Sequence, residues 1–125
     1  MHALRNLHEA LRPGGVLVDT QPLFTSPRVE ADDGGLGTLD MREWRRTVDA
    51  VDVFVAEAVA AGLFEPAGER RYSVRETFDN GRECLEIVRG WEGTRVPAAL
   101  ASRLRSTRAP VAVVHDVRLR LFVAV

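Results

Sequence analysis

The spacing of apolar residues at the start of the chain predicts a short amphipathic helix followed directly by a buried strand. The apolar face of this helix consists of three leucines, Leu4, Leu7 and Leu11. Pro13 disfavours helical geometry at the residue before it, and Gly14 and Gly15 can adopt the positive φ angles that end a helix. The continuous apolar run in 16–18 predicts a strand at Val16–Asp19 that is covered on both faces.

The patterning along the rest of the chain predicts two further strands, a hairpin and three helices. A loop is expected from Thr20 to Pro27, because it holds two prolines and three hydroxyl residues. The later elements, in chain order, are a hairpin over Arg28–Leu39, a long helix from Asp40 to Gly62, a strand over Arg70–Phe78, short helices over Arg82–Gly90 and from Pro97 to Leu104, and a last strand over Val111–Val125.

Several of these elements carry specific expectations. Asp40 and Glu43 have the spacing of a capping box at the start of the long helix, and Gly62 has the place of its C-terminal cap. The strand over Arg70–Phe78 should be half-buried because its apolar residues alternate. The last strand exceeds the usual length, which predicts a late start, a bend or a bulge.

Composition bounds the chain to one ordinary domain spanning 1–125. It has 125 residues and a net charge of −1, which favours neither a nucleic acid nor an anionic membrane as partner. All 17 basic residues are arginine, so Schiff-base chemistry and a P-loop lysine are excluded. Cys84 is the single cysteine and reads as a small core residue. An amphipathic rather than uniformly apolar N-terminus predicts no signal peptide and a cytoplasmic protein.

Three further groups of residues read as structural. The glycines at 34–37 lack the preceding strand and following lysine of a phosphate-binding loop, and the paired aspartates before them lack the other ligands of a calcium loop. No metal site is therefore predicted. His115 lies on an apolar face and is expected to be a hydrogen-bonded structural histidine. Arg103, Arg105 and Arg108 are most simply the solvated face of a helix.

The junction Leu11-Arg12-Pro13-Gly14-Gly15, between a helix and a strand, resembles that before the fifth strand of class I (Rossmann-like) S-adenosylmethionine-dependent methyltransferases. The segment Ala60–Phe64 looks like the family's exit from the next helix. The resemblance implies an α/β fold, α+β in isolation. The fold that the resemblance implies is a partial methyltransferase fold. It has three main strands in the order five-seven-six, with the last strand antiparallel in the middle, packing helices and a small hairpin.

The resemblance covers only the C-terminal half of that fold, without the cofactor-binding half. The family holds its cofactor with a glycine-rich turn after strand one and an acidic residue at the end of strand two, and neither can be placed here. The implied function is the substrate-side part of a methyltransferase that is not catalytic by itself. No catalytic or cofactor-binding residue is assigned, and S-adenosylmethionine would bind only if the missing half were supplied.

The resemblance places substrate-side candidates after the fifth strand and at the start of the next helix: Thr20, Gln21 and Trp44. For the first two the alternative is an ordinary polar loop, and for the tryptophan a core anchor. The alternative function is a non-enzymatic α+β module that binds a partner or a small ligand. A homodimer is expected, through an exposed strand edge or an apolar helix face, because strand four of the full fold is missing.

Overall fold

The computed structural model describes residues 2–125, which form four α-helices and five β-strands. In chain order these are α1 (His2–Ala10), β1 (Val16–Pro22), β2 (Arg28–Ala31), β3 (Gly34–Thr38), α2 (Arg42–Ala60), β4 (Phe64–Phe78), α3 (Gly81–Arg89), α4 (Ala98–Ser106) and β5 (Val111–Ala124). The strands form one antiparallel sheet. The predicted α+β class is confirmed.

Strand β5 has the most pairing partners in this sheet. The strand order is β1-β5-β2-β3, and β4 also pairs with β5. The order differs from the predicted three-strand arrangement because the hairpin strands join the sheet: Val29 pairs with Val113 and Ala31 with Val111. A strand of 14 residues is long enough to take β2 along its first residues and other partners further on.

Strand β1 is longer and more exposed than the sequence predicts. It continues to Pro22, so Thr20 and Gln21 belong to a strand and not to a loop. The expected cover on both faces is wrong, since Val16 and Val18 are 52% and 54% exposed. Within the described residues, β1 lies at one end of the strand order and has β5 as its neighbour.

Strands β4 and β5 also depart from the expected patterns. Strand β4 starts at Phe64 rather than Arg70. It is buried only at its two ends, and the residues between them, including Tyr72 and Val74, are exposed. Alternation therefore did not indicate burial in this strand. Strand β5 starts without the predicted delay, at Val111, and it pairs with β2 in one continuous register over Val111–Val114.

The helix ends follow the local sequence closely. Gly62 follows α2 with a φ of 75°, as expected of a C-terminal cap, whereas Gly14 takes a φ of 81° in the turn after α1, which already ends at Ala10. The capping box is wrong, because the Asp40 carboxylate accepts a hydrogen bond from the Arg42 backbone N–H at 3.1 Å and not from Glu43. No helix among residues 2–125 is long and apolar enough to cross a membrane.

The contacts within the chain divide it into two compact units. The first unit comprises residues up to Gln21, Thr47–Tyr72 and Val117–Val125. Its core combines residues from α2, β4 and β5 with apolar side chains of α1 and β1: Val55, Ala58, Phe64, Phe122 and Ala124, with Leu4, Leu11, Leu17, Val59 and Leu63 packed against them.

The second unit comprises Pro22–Arg46 and Ser73–Asp116. Its core brings α3 and α4 against β2 and β5: Val29, Leu39, Phe78, Cys84, Leu85, Val88, Leu100, Ala101, Leu104, Val111 and Val113. Cys84 is fully buried there, which agrees with its expected role as a core residue. That residues 1–125 form a single domain stays a prediction.

Candidate functional site

A network of charged and polar side chains lies in the first unit, where β1, β5 and α2 meet. It is called the β1 cluster below and consists of Asp19, Gln21, Asp52, Arg118 and Arg120. Side chains alternate between the two faces of a strand, so the two β1 residues share one face, and so do the two β5 arginines. Asp52 is supplied by α2.

Arg120 is the centre of this network. Its Nε and Nη2 atoms donate hydrogen bonds to the Asp19 Oδ2 atom at 3.0 Å and 2.6 Å, and Nη2 also donates to the Asp52 Oδ1 atom at 2.7 Å. Both members of the Arg120–Asp19 pair are largely withdrawn from water, with side chains 19% and 14% exposed. The guanidinium carbon lies 5.4 Å from the ring centroid of Phe122. Arg120 therefore holds its two carboxylates in fixed positions.

Arg118 continues the network towards solvent. Its Nη2 atom donates to the same Asp52 Oδ1 atom at 2.9 Å, and its Nε atom lies 3.8 Å from a carboxylate oxygen of Glu69. Three carboxylates thus face two guanidinium groups, which leaves a single negative charge in this group of ion pairs.

Gln21 has the one polar atom of the β1 cluster that is buried without a partner. The residue is 6% exposed, and its Nε2 atom donates to the Asp19 Oδ1 atom at 3.1 Å. Its Oε1 atom has no hydrogen-bond partner among residues 2–125. The opposite amide orientation would place that oxygen against a carboxylate, so Asp19 fixes it. The result is a buried acceptor suited to an N–H or O–H donor.

The chemistry available to the β1 cluster is positioning and not acid–base catalysis. Both oxygens of Asp19 already accept hydrogen bonds, so this carboxylate is committed to its neighbours. The cluster contains no histidine, cysteine or serine that could act as a nucleophile. In the described part of the chain, no group of three or more acidic, histidine or cysteine side chains has the arrangement of a metal site.

The structure separates the three residues that the sequence suggests for a substrate side. Gln21 belongs to the β1 cluster, whereas its neighbour Thr20 is exposed and points to the other face of β1. Trp44 belongs to the second unit and is half-buried, with its Cβ 3.3 Å from where a Cβ on Gly93 would lie. Their roles at a substrate stay predictions.

The other members of the β1 cluster were missed by sequence reasoning. The sequence predicts Asp19 only as the last residue of an apolar strand, and it predicts Arg118 and Arg120 only as members of the last strand. The one local signal is the position of Asp52 in α2, four residues after Val48 and three before Val55, which places it on the same helix face as these two valines.

In the second unit, two acidic side chains have perturbed pKa values. The Ser73 hydroxyl donates to Asp116 at 2.7 Å and Arg28 donates at 3.0 Å, which lowers the pKa of this carboxyl. The Arg42 side chain, with its backbone N–H, lowers the pKa of Asp40 to about 2. The expected hydrogen bond of His115 is missing at Nε2, which is buried without a partner in the described residues, and its ring lies 5.7 Å from that of Trp91.

Comparison with known proteins adds no family to this picture. No protein-family model matches the chain, and no curated protein does.

Proposed function

We propose that this chain is the C-terminal, substrate-side part of a class I S-adenosylmethionine-dependent methyltransferase and is not catalytic by itself. The observation that carries the proposal is the position of β5. This strand pairs with β1 and with β4 and is antiparallel to both, as a seventh strand would be between strands five and six. The fold proposed is therefore the second half of a Rossmann-like methyltransferase fold, extended by a hairpin.

Two local features support the same reading. The turn between α1 and β1 contains Gly14 at a φ of 81°, and the Gly14 N–H donates to the carbonyl of Ala124 at 2.9 Å. Helices α1 and α2 both contribute to one core cluster, so they pack on the same face of the sheet in the first unit. Consecutive crossover helices on one face are what this half of the fold requires.

The described residues do not fit the cofactor. A strand leads into a helix through a glycine at one turn, Asp79-Asn80-Gly81, between β4 and α3. A Cβ on Gly81 would lie 2.0 Å from the backbone oxygen of Leu104, so α4 occupies the space in front of this turn. The methyl donor would have to be held by the other half of the fold.

Within this proposal, the β1 cluster is the substrate side. Gln21 Oε1 would accept a hydrogen bond from a donor group on the methyl acceptor, and Arg120 and Asp19 would hold the amide in place. Methyl transfer depends mainly on aligning two reactants, which suits a cluster that positions groups and exchanges no proton.

The test is a longer polypeptide that includes the coding sequence preceding codon 1. We expect that sequence to encode a glycine-rich strand-to-helix turn, and the longer protein to bind S-adenosylmethionine with a micromolar dissociation constant by calorimetry. Residues 1–125 alone should bind no better than millimolar. Micromolar binding by residues 1–125, or no binding by the longer protein, would contradict the proposal.

A second candidate function is a non-enzymatic interaction module, which the exposed apolar residues of β1 favour. Val16 and Val18 alternate along the strand and so lie on one face, where a solvated sheet would carry polar side chains. The same residues support a homodimer, because β1 lies at one end of the strand order.

Sedimentation at micromolar concentration tests the homodimer. Two variants distinguish the predicted surfaces: Val18→Glu adds a charge to the strand, and Val53→Glu adds one to an exposed position of α2. We expect a species of twice the chain mass of 13.8 kDa, dissociated by one of the two substitutions. A parent protein that sediments as a single chain would contradict the homodimer.

A further inference from the structure

In the second unit, the start of α3 and the end of α4 enclose a basic cavity, called the arginine cavity below. Its volume is about 510 Å³, within the range of small-molecule sites. Its lining is entirely polar or basic: Asn80, Arg82, Arg105, Ser106, Thr107 and Arg108. No carboxylate contributes to it, although acidic residues slightly outnumber basic ones in the chain as a whole.

The three guanidinium groups of this cavity are uncommitted. Among residues 2–125, the structure gives Arg82, Arg105 and Arg108 no ion pair and no hydrogen bond from their side chains. Arg103, which lies on α4 with Arg105, donates instead to the carbonyl of Leu36 at 2.7 Å. Three positive charges line one cavity without an ion pair among the described residues, which favours a bound anion.

Both hydroxyl groups that line the cavity are occupied, and that of Ser106 donates to the carbonyl of Arg103 at 3.0 Å. The Thr107 hydroxyl donates to the carbonyl of Arg103 at 2.6 Å, and the N–H of Gly81 donates to the Thr107 carbonyl at 2.8 Å. The Asn80 side chain accepts from the Glu83 N–H at 2.9 Å. The hydroxyl groups are thus committed within the chain, and the arginines supply the positive charge that would recognise an anion.

A second depression continues the arginine cavity along the two helices. It has a volume of about 410 Å³, shares Arg82 and Arg105 with the first, and adds Arg89, Leu85 and Glu86. A ligand could thus place an anionic group among three arginines and extend its remainder over a partly apolar surface. Planar guanidinium groups with paired N–H donors match the oxygens of phosphate, which they bind bidentately.

We propose that the arginine cavity binds a phosphate group carried by a small molecule or a lipid, through Arg82, Arg105 and Arg108. This site is independent of the proposed methyltransferase function. The sequence predicts Arg105 and Arg108 on a solvated helix face; in the structure Arg82 of α3 lines one cavity with Arg105 of α4 and with Arg108, which follows that helix.

The probe is inorganic pyrophosphate, titrated calorimetrically into the full chain in about 0.15 M salt, where diffuse surface attraction is largely screened. The test variant is Arg82→Ala/Arg105→Ala/Arg108→Ala. Its matched control is Arg5→Ala/Arg70→Ala/Arg71→Ala, which removes three arginines elsewhere and changes the net charge equally, from −1 to −4.

We expect saturable binding at one site per chain, weakened at least about tenfold in the test variant and unchanged in the control. Replacing the same three arginines by lysine keeps the charge and should weaken binding by less, which gives a result even if the alanine variant fails to fold. A second arm uses phosphatidylcholine vesicles with and without phosphatidic acid: binding to the acidic vesicles alone assigns the phosphate to a lipid head group. The proposal is overturned if neither probe binds, or if the control loses as much affinity as the test variant.

Discussion

Removing the Arg120 side chain should destabilise the first unit, because this guanidinium is the common donor of the β1 cluster. The substitution Arg120→Ala deletes two hydrogen bonds to Asp19 and one to Asp52. It also leaves the Asp19 carboxylate, which is 14% exposed, without its cation. The loss is therefore that of an uncompensated, mostly buried charge and not that of a surface ion pair.

The expected cost is about 2–3 kcal/mol. Breaking a fully buried ion pair costs roughly 3–5 kcal/mol, and exposed pairs are worth roughly 0–1 kcal/mol. This pair lies nearer the buried limit, and the Gln21 amide still donates to Asp19 after the substitution. The double variant Arg120→Ala/Asp19→Ala should cost about 1–2 kcal/mol less than the sum of the single variants, since the stranded charge is then absent.

The measurement is urea unfolding followed by circular dichroism at pH 7, with Arg118→Ala as the control. Arg118 has one hydrogen bond to Asp52 and a longer contact of 3.8 Å to Glu69, so its removal should cost below about 1 kcal/mol. The Arg120→Ala effect should also persist in about 0.5 M salt, because buried pairs are screened little. Equal costs for the two variants, or loss of the effect in salt, would refute the placement of Arg120 in a desolvated network.

Three further predictions concern the second unit. Gly81→Ala should destabilise the protein by about 2–4 kcal/mol in urea unfolding, because the new Cβ would overlap a backbone oxygen of α4. The control Gly35→Ala, whose Cβ would have nothing within 4 Å, should change stability by less than about 1 kcal/mol. Similar values for the two variants would contradict the close approach at Gly81. Burial raises the pKa of the Cys84 thiol to about 11, so a thiol reagent at pH 8 should label it only after unfolding, and rapid labelling of the folded protein would contradict its burial. The lowered pKa of Asp40, about 2 against a usual 3.8, gives stabilisation that is present above about pH 4 and lost as pH falls towards 2. Arg42→Ala should return that pKa towards 3.8 in an NMR titration. An unchanged pKa would rule out Arg42 as the main cause of the shift.

The helix ends were predictable because their signals are local. A glycine that takes a positive φ beyond a helix is predictable from a few neighbours: Gly62 does so after α2, and Gly14 does so in the turn between α1 and β1. The strand limits were less accessible, because a strand extends as far as its partner does. Strand β4 continues back to Phe64 alongside β5, although 65–70 has no apolar alternation to indicate it.

The pairing of the hairpin with β5 shows the same limit at the level of topology. The turn of the hairpin was predictable from Asp33-Gly34. The residues of its two strands, however, do not indicate which other strand of the sheet they pair with. The pairing of Val29 with Val113 joins residues 84 positions apart. A single sequence could therefore predict that a hairpin exists and could not predict that it pairs with β5.

The β1 cluster was the least predictable part, because its residues are far apart in the sequence and acquire their roles only by contacting one another. Asp19 and Arg120 are 101 residues apart, and each alone reads as a solvated charge on a strand. Their pairing holds the carboxylate in place, and that carboxylate orients the Gln21 amide. The buried acceptor at Gln21 Oε1 is therefore a property of the pair and not of the glutamine, so it should disappear as a defined site whenever either charge is removed.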